Sequence, residues 1–365
     1  MEKHGTRRIY NIAVIPGDGV GPEVTEEGVR ALRAIAAADS SLDFRFTYYP
    51  WGCKYYLKTG RMMDENGLDD LSASDAILLG AVGDPEVPDH ISLWDLLLRI
   101  RKGFDQYINL RPVKLLEGAP CPLKGKTGRD IDMIFVRENS EGEYAGRGRM
   151  TGVGTPEETA VQEDIFSRAG CERVMRYAYE LASEQGKTLT SITKSNAINY
   201  SMVFWDEIFR EIGSEYKDVK TRSYLVDAAS MFMVKEPERF EVVVASNLFG
   251  DILTDLGAAI AGGMGLAAGA NLDPLRRFPS MFEPIHGSAP DIAGKGLANP
   301  MATVWAVSQM LDFLGHREWA ASLIDVIESL LKEGRCLTPD IGGRSSTSEV
   351  GQEIAERIAA REVNG

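Results

Sequence analysis

The feature that most constrains this chain is the alternation of short apolar runs with longer helix-patterned segments. Ile9 to Ile15, Asp75 to Ala81, Met133 to Val136, Thr188 to Thr193, Ser223 to Val226 and Phe240 to Ala245 read as strands, and helical stretches separate them. Strands alternating with helices predict an α/β fold with a mixed or parallel sheet flanked by helices. At 365 residues the chain exceeds one small core, so two or three domains are expected.

Local signals place the remaining elements. After the first strand comes Pro16-Gly-Asp-Gly-Val-Gly-Pro22, with Pro22 suited to a first helical turn. Its spacing is GxGxG and misses the dinucleotide fingerprint GxGxxG, so a phosphate cradle and a plain strand-to-helix turn both fit. Arg147 to Thr159 is rich in Gly and Thr and reads as an extended arm or loop. Helices are expected over Glu172 to Glu184, from Asn299-Pro300 to Leu314, from Glu318 to a stop at Gly334, and over Ser348 to Ala360.

Charge narrows the partners. With 54 acidic against 40 basic side chains the formal charge is −14, which argues against nucleic acid and anionic membranes. An anionic substrate then needs a local positive site. Arg101, Arg111 and Arg137 each stand at the end of an element, and guanidinium forks bind carboxylates through paired hydrogen bonds. Surface charge is the plainer reading of any one of them. Four dispersed cysteines without a CxxC pair look like free thiols of a reducing compartment. The N-terminus carries no apolar signal core and no segment is long and apolar enough to span a bilayer, so a soluble, cytoplasmic protein is expected.

The stretch Asn247-Leu-Phe-Gly-Asp251-Ile-Leu-Thr-Asp255 opens a helix directly after an apolar strand. Residues at i, i+4 and i+8 share a helix face, so Asn247, Asp251 and Asp255 point together. Two such carboxylates suit a hard divalent cation; a capped, solvated helix start is the alternative. Lys194 and Asp227 each leave the end of a strand, and a desolvated lysine is a candidate general base.

Taken in order, "GDGVGPE", "RIRK" then "NLRP", "VREN" then "GEY", "TKSN", "VDA", "NLFGDILTD" and "HGSAPDIAGKGLANP" resemble the β-decarboxylating dehydrogenases, the family of isopropylmalate and isocitrate dehydrogenases. The resemblance covers essentially the whole chain. It implies that family's two-domain fold, not a Rossmann fold, with a dinucleotide-binding domain over 1–106 and 265–365. Residues 107–264 would form a substrate, metal and dimerisation domain. It also implies a homodimer with shared active sites. By the same resemblance Arg101, Arg111 and Arg137 hold substrate carboxylates, Tyr144 is the proton donor, and Lys194 is a base contributed by the partner. Asp227, also from the partner, joins Asp251 and Asp255 around Mn²⁺ or Mg²⁺. Gly265, His286, Gly287, Ser288, Ala289, Asp291, Ile292 and Asn299 would bind NAD, with Asp291 accepting from ribose hydroxyls and repelling a 2′-phosphate.

Two departures bear on the substrate. Trp94 occupies the position where isopropylmalate dehydrogenases carry a glutamate, and Asp95 and Leu97 replace the serine and asparagine used for isocitrate. The segments "SLWDLLLRIRKGFDQYINLRPVKL" and "GAPCPL" are most similar to the tartrate and D-malate branch. The resemblance therefore implies NAD-linked oxidation of a C4 2-hydroxy acid with β-decarboxylation, and a monovalent cation such as K⁺ as a further activator. A 3-isopropylmalate dehydrogenase and a catalytically silent regulatory subunit are the alternatives.

Overall fold

The structure, a computed structural model, describes residues 7–361. Most of the N-terminal segment read for a signal core lies outside that range. The chain divides into two compact units. The first comprises the chain up to Gln106, Leu115–Gly128 and the chain from Ala258 onward; the second comprises Tyr107–Lys114 and Arg129–Gly257. Residues 115–128 and 258–264 thus group with the first unit, although the expected boundaries put them in the second. Contacts made there explain it: Lys332 Nζ lies 2.6 Å from Glu117, and the Cys121 thiol faces the Ile260 carbonyl at 3.4 Å.

In the first unit the strands run in the order Leu42–Tyr48, Arg8–Gly17, Ala76–Ala81, Ser280–Pro284 and Ala268–Leu272. The first three pairings are parallel and the last is antiparallel. Ile12 to Ile15 and Ala76 to Leu79 are buried, as expected of parallel strands covered on both faces. Helix Gly21–Ala38 starts with Pro22 in its first turn and packs against helix Thr347–Ala359, whose start is a capping box of Ser346 and Glu349.

The GxGxG turn packs backbone on backbone. Gly19 has φ +57°, and a Cβ there would sit 1.8 Å from the Ser288 carbonyl oxygen, to which the Val20 amide donates at 2.8 Å. The turn therefore grips the segment that begins at His286.

The second unit orders its strands Ile108–Lys114, Asp132–Glu138, Val242–Ala245, Leu189–Thr193 and Thr221–Leu225. Here the first pairing is antiparallel and the others are parallel. Helix Arg168–Gln185 covers this sheet. Gly142–Thr151 and Thr159–Ile165 form an antiparallel hairpin, so of the two readings of residues 147–159, extended arm or loop, the structure has the arm with a loop at its tip. Asp227 follows the end of strand Thr221–Leu225, in the first turn of helix Val226–Lys235. A carboxylate is favoured there by the helix dipole.

Candidate active site

Helix Asn247–Ile260 leaves the buried strand Val242–Ala245 and organises the charged groups of the second unit. It lies close to the strands bearing Arg111 and Arg137 because its inner face carries glycine. A Cβ on Gly250 would fall 2.6–3.1 Å from the Arg137 side chain. The two arginines then bridge the helix face. Arg137 donates to Asn247 Oδ1 at 3.2 Å from Nε and 2.7 Å from Nη2, and to Asp251 Oδ1 at 2.6 Å. Arg111 lies 3.4 Å from Asp251 Oδ1 and 3.9 Å from Asp255 Oδ1. The i, i+4, i+8 face read from the sequence is thus a real row, and cations bridge its members.

Burial sharpens the electrostatics. The guanidiniums of Arg111 and Arg137 are buried, whereas Asp251 and Asp255 keep 36 % and 60 % of their side chains exposed. Arg111 is further pinned by Asn109 Oδ1 at 2.7 Å and Thr254 Oγ1 at 2.6 Å. The Tyr144 hydroxyl donates to Asp251 Oδ2 at 3.2 Å, and the Arg137 guanidinium carbon stands 5.7 Å from the tyrosine ring centre. Burial, and then the Asp251 carboxylate, hold the Tyr144 phenol above its ordinary range. It is therefore a protonated donor at neutral pH. Desolvation also raises the Asp255 carboxyl, opposed by Arg111.

Lys194 and Asp227 form a separate pair, Nζ to Oδ1 at 2.6 Å. That lysine's hydrogen bond holds the Asp227 carboxyl below its usual range. The structure therefore brings Asp251 and Asp255 together but leaves Asp227 with the lysine. Among the described residues no group of three His, Cys, Asp or Glu side chains could hold a metal. The two helix carboxylates still fit part of a Mg²⁺ or Mn²⁺ shell, because they offer only hard oxygen donors on a partly exposed face.

In the first unit Arg101 is buried, and its Nη2 donates to Glu283 Oε1 at 2.8 Å. Asn271 donates to the same oxygen at 2.7 Å. Arg101 Nε is buried and has no hydrogen-bond partner among the described residues. One turn earlier the helix widens into a π-turn over Leu93–Leu98, which carries Trp94; the Lys102 ammonium sits 4.4 Å from that indole's centre. Single π-turns inside helices frequently mark functional sites.

The segment His286–Asn299 is held from below. Glu23 accepts from the amides of Gly294 and Gly296, and Thr347 Oγ1 donates to the Ala298 carbonyl at 2.6 Å. Ile292 and Ala289 pack on Val20, Val24 and Ala298, while Gly287 and Asp291 are exposed. Asn299 donates to Asp340 Oδ2 at 3.1 Å and accepts from the Met301 amide at 3.0 Å, and Gly265 packs against this pair. His286 Nδ1 meets the Gly287 carbonyl at 3.0 Å, which makes that nitrogen the donor. Burial lowers the His286 pKa, so Nε2 is a bare acceptor, buried without a partner among the described residues. An orphaned acceptor beside exposed backbone and a carboxylate fits the N–H and O–H groups of a nucleotide.

Sequence reading missed the second row of polar groups: Asn109, Glu143, Thr254, Asn271, Glu283 and Asp340. Each acts on a partner distant in sequence, apart from Asn109. In that residue's case "NLRP" itself held the signal, since a polar side chain two residues before Arg111 on a strand faces the same way.

A mixed α/β chain of two units thus carries buried arginines set against a row of helix carboxylates. The chain belongs to the isocitrate/isopropylmalate dehydrogenase family, whose profile matches residues 11–354. It is 49% identical to a probable tartrate dehydrogenase/decarboxylase of Agrobacterium vitis, covering 98% of this chain and 99% of that one. Identity to the decarboxylating D-malate dehydrogenase of Escherichia coli (strain K12) is also 49%, over 96% and 99% of the two chains. A 3-isopropylmalate dehydrogenase of Thermobifida fusca is 48% identical, over 96% and 98%. The crystal structure of isocitrate dehydrogenase from Methylococcus capsulatus superposes with a TM-score of 0.87 at 33% identity, covering 96% of this chain and 99% of that one. Among the described residues no helix is long and apolar enough to cross a membrane.

Proposed function

We propose that the protein is a NAD-linked, divalent-metal-dependent dehydrogenase of a small C4 2-hydroxy dicarboxylic acid, tartrate or D-malate, which also decarboxylates the keto acid formed from D-malate. The observation that carries this reading is the pair of buried guanidiniums, Arg111 and Arg137, gathered on one carboxylate row in a chain of charge −14. With a divalent cation held by Asp251 and Asp255, the cluster would carry net positive charge and attract a dianion against the global field. Near-equal identity to relatives named for different acids does not rank the substrates. By the resemblance Trp94 stands where isopropylmalate dehydrogenases have a glutamate, and its bulk would leave less room for an isopropyl group, which favours a C4 acid without ranking tartrate against D-malate.

The roles follow residue by residue. Arg101, Arg111 and Arg137 take the substrate carboxylates. Asp251 and Asp255 hold Mn²⁺ or Mg²⁺ together with Asp227 of the partner subunit, in a homodimer. Lys194 and Asp227, from two neighbouring elements, form one ion pair, so the same part of the partner would deliver both base and ligand. The loop from His286 to Asn299, together with Gly265, receives NAD, with Asp291 on the ribose hydroxyls. When bound, the cation polarises the substrate oxygens and the nicotinamide accepts the hydride. Lys194 accepts the hydroxyl proton as the 2-hydroxy acid is oxidised. Loss of CO₂ from D-malate's keto acid leaves an enolate, to which Tyr144 delivers a proton at carbon, and solvent reprotonates the phenolate. The free thiols Cys53, Cys121, Cys171 and Cys336 fit a reducing, cytoplasmic setting.

The test is NADH formation measured side by side with D-malate, tartrate, 3-isopropylmalate and isocitrate in the presence of Mn²⁺, with and without K⁺. The C4 acids are expected to give the highest kcat/KM. Preference for 3-isopropylmalate overturns the substrate assignment, and no turnover with any acid overturns the enzymatic reading in favour of a silent subunit.

A further inference from the structure

Tyr144 lies in an irregular stretch of the hairpin. Pairing runs from Gly142 with Ile165 to Arg147 with Glu163, and the register shifts between them, so residues 143–146 lie in a bulge. Bulges re-aim side chains, but they also give up the ladder bonds that would fix them. The neighbouring side chain supplies a different anchor. Glu143 Oε1 accepts from Ser246 Oγ at 2.6 Å, and Oε2 accepts from the Leu248 amide at 3.1 Å. Ser246 is fully buried, and the Leu248 amide belongs to the first turn of helix Asn247–Ile260, where amides lack an intrahelical acceptor. A carboxylate at that end also meets the positive pole of the helix. Asn247 adds a second tie by donating to the Glu141 carbonyl at 3.3 Å.

We propose that Glu143 is a positioning residue: its carboxylate fastens the bulge carrying Tyr144 to the start of the helix carrying Asp251, and so fixes the phenol for proton delivery to carbon. The inference rests on the reading of Tyr144 as the proton donor. In that step the phenol O–H bond breaks as a C–H bond forms at the carbon that has lost CO₂, and solvent returns the proton to the phenolate. Glu143 touches no reacting atom. Without it the phenol keeps its chemistry and loses its place, and a displacement of about 1 Å is enough to lower such a rate by up to about a hundredfold.

The experiment compares Glu143→Ala, Glu143→Gln, Tyr144→Phe and the Glu143→Ala/Tyr144→Phe double variant. It uses the full-length protein with Mn²⁺, NAD⁺ or NADH, D-malate and oxaloacetate. Glu143→Ala is expected to lower kcat for decarboxylation of oxaloacetate roughly tenfold or more, while its KM and the NADH-dependent reduction of oxaloacetate change by less than about threefold. Glutamine should restore most of the loss, because its amide can accept from Leu248 and donate to Ser246. The double variant should be no slower than Tyr144→Phe alone, since both act through one phenol.

Selective loss in Tyr144→Phe, with Glu143→Ala either unaffected or losing both partial reactions equally, overturns the positioning role alone. Absence of selective loss in Tyr144→Phe overturns the proton-donor reading and this inference with it. Should Glu143→Ala melt too low to assay, Ser246→Ala removes one of the two ties. A smaller loss confined to decarboxylation supports the inference, and an equal loss of both reactions overturns it.

Discussion

Replacing Gly250 by alanine adds one methyl group at the place where the helix Asn247–Ile260 presses on Arg137. That Cβ would stand 2.6 Å from Arg137 Cγ, 2.8 Å from its Cβ and 3.1 Å from its Cδ. Ordinary carbon–carbon contact needs about 3.5–4.0 Å, so the arginine or the helix must move by about 1 Å. Two stability effects oppose each other. Alanine favours a helix interior by about 1 kcal/mol over glycine, and overpacking costs about 1–3 kcal/mol, which leaves a net loss of about 0–2 kcal/mol. Function has no such compensation, because the same shift breaks the grip of Arg137 on Asn247 and Asp251, whose bonds are 2.6–3.2 Å long. A 1 Å misplacement of a positioning group costs up to about a hundredfold in rate. Gly250→Ala is therefore expected to lower kcat/KM for D-malate by about ten- to a hundredfold while the melting temperature moves by only a few degrees. Thermal unfolding and steady-state kinetics on the same preparation measure both. Full activity in a folded variant would refute the close-approach argument, as would a loss that merely follows the folded fraction.

Further outcomes can be measured independently. Asp251→Asn is expected to abolish metal-dependent turnover and leave NADH binding, followed by fluorescence, largely intact; joint loss would assign Asp251 to folding. Asp18 is a buried carboxylate that accepts from the amides of Cys53, Lys54 and Gly83, so Asp18→Ala should cost about 2–4 kcal/mol in denaturant unfolding through unsatisfied donors. Asp291→Ala should reduce the preference for NAD⁺ over NADP⁺ by about tenfold in kcat/KM, because repulsion of the 2′-phosphate is lost. Glu333 is held at a pKa of about 2 by its hydrogen bonds from Arg357. A lowered folded pKa gives stability that is full above the ordinary glutamate value of about 4.3 and is lost as pH falls through the folded pKa. Glu333→Gln should thus shrink the fall in melting temperature between pH 5 and pH 2, and added salt should shrink it further in the native protein.

The sequence by itself determined the layering and the chemical vocabulary. Apolar runs fixed the buried strands, because covered parallel strands must be apolar throughout, and the fourfold spacing of Asn247, Asp251 and Asp255 fixed a helix face. Gly334 after the helix Arg317–Glu333 has φ +67°, so that stop was legible as well. What tertiary structure decided was pairing. Arg137 meets residues 110 and 114 positions away, and Glu143 reaches across 103 and 105 positions to Ser246 and Leu248. No local period encodes such contacts. The same holds for Asp227, whose carboxylate lies with Lys194 and apart from the helix carboxylates, and for residues 115–128, which join the first unit through contacts made far along the chain. Local sequence sets which groups are available and which way each element presents them. Which groups meet depends on the packing of strands remote in sequence, where the absence of one methyl group at Gly250 lets the helix approach Arg137.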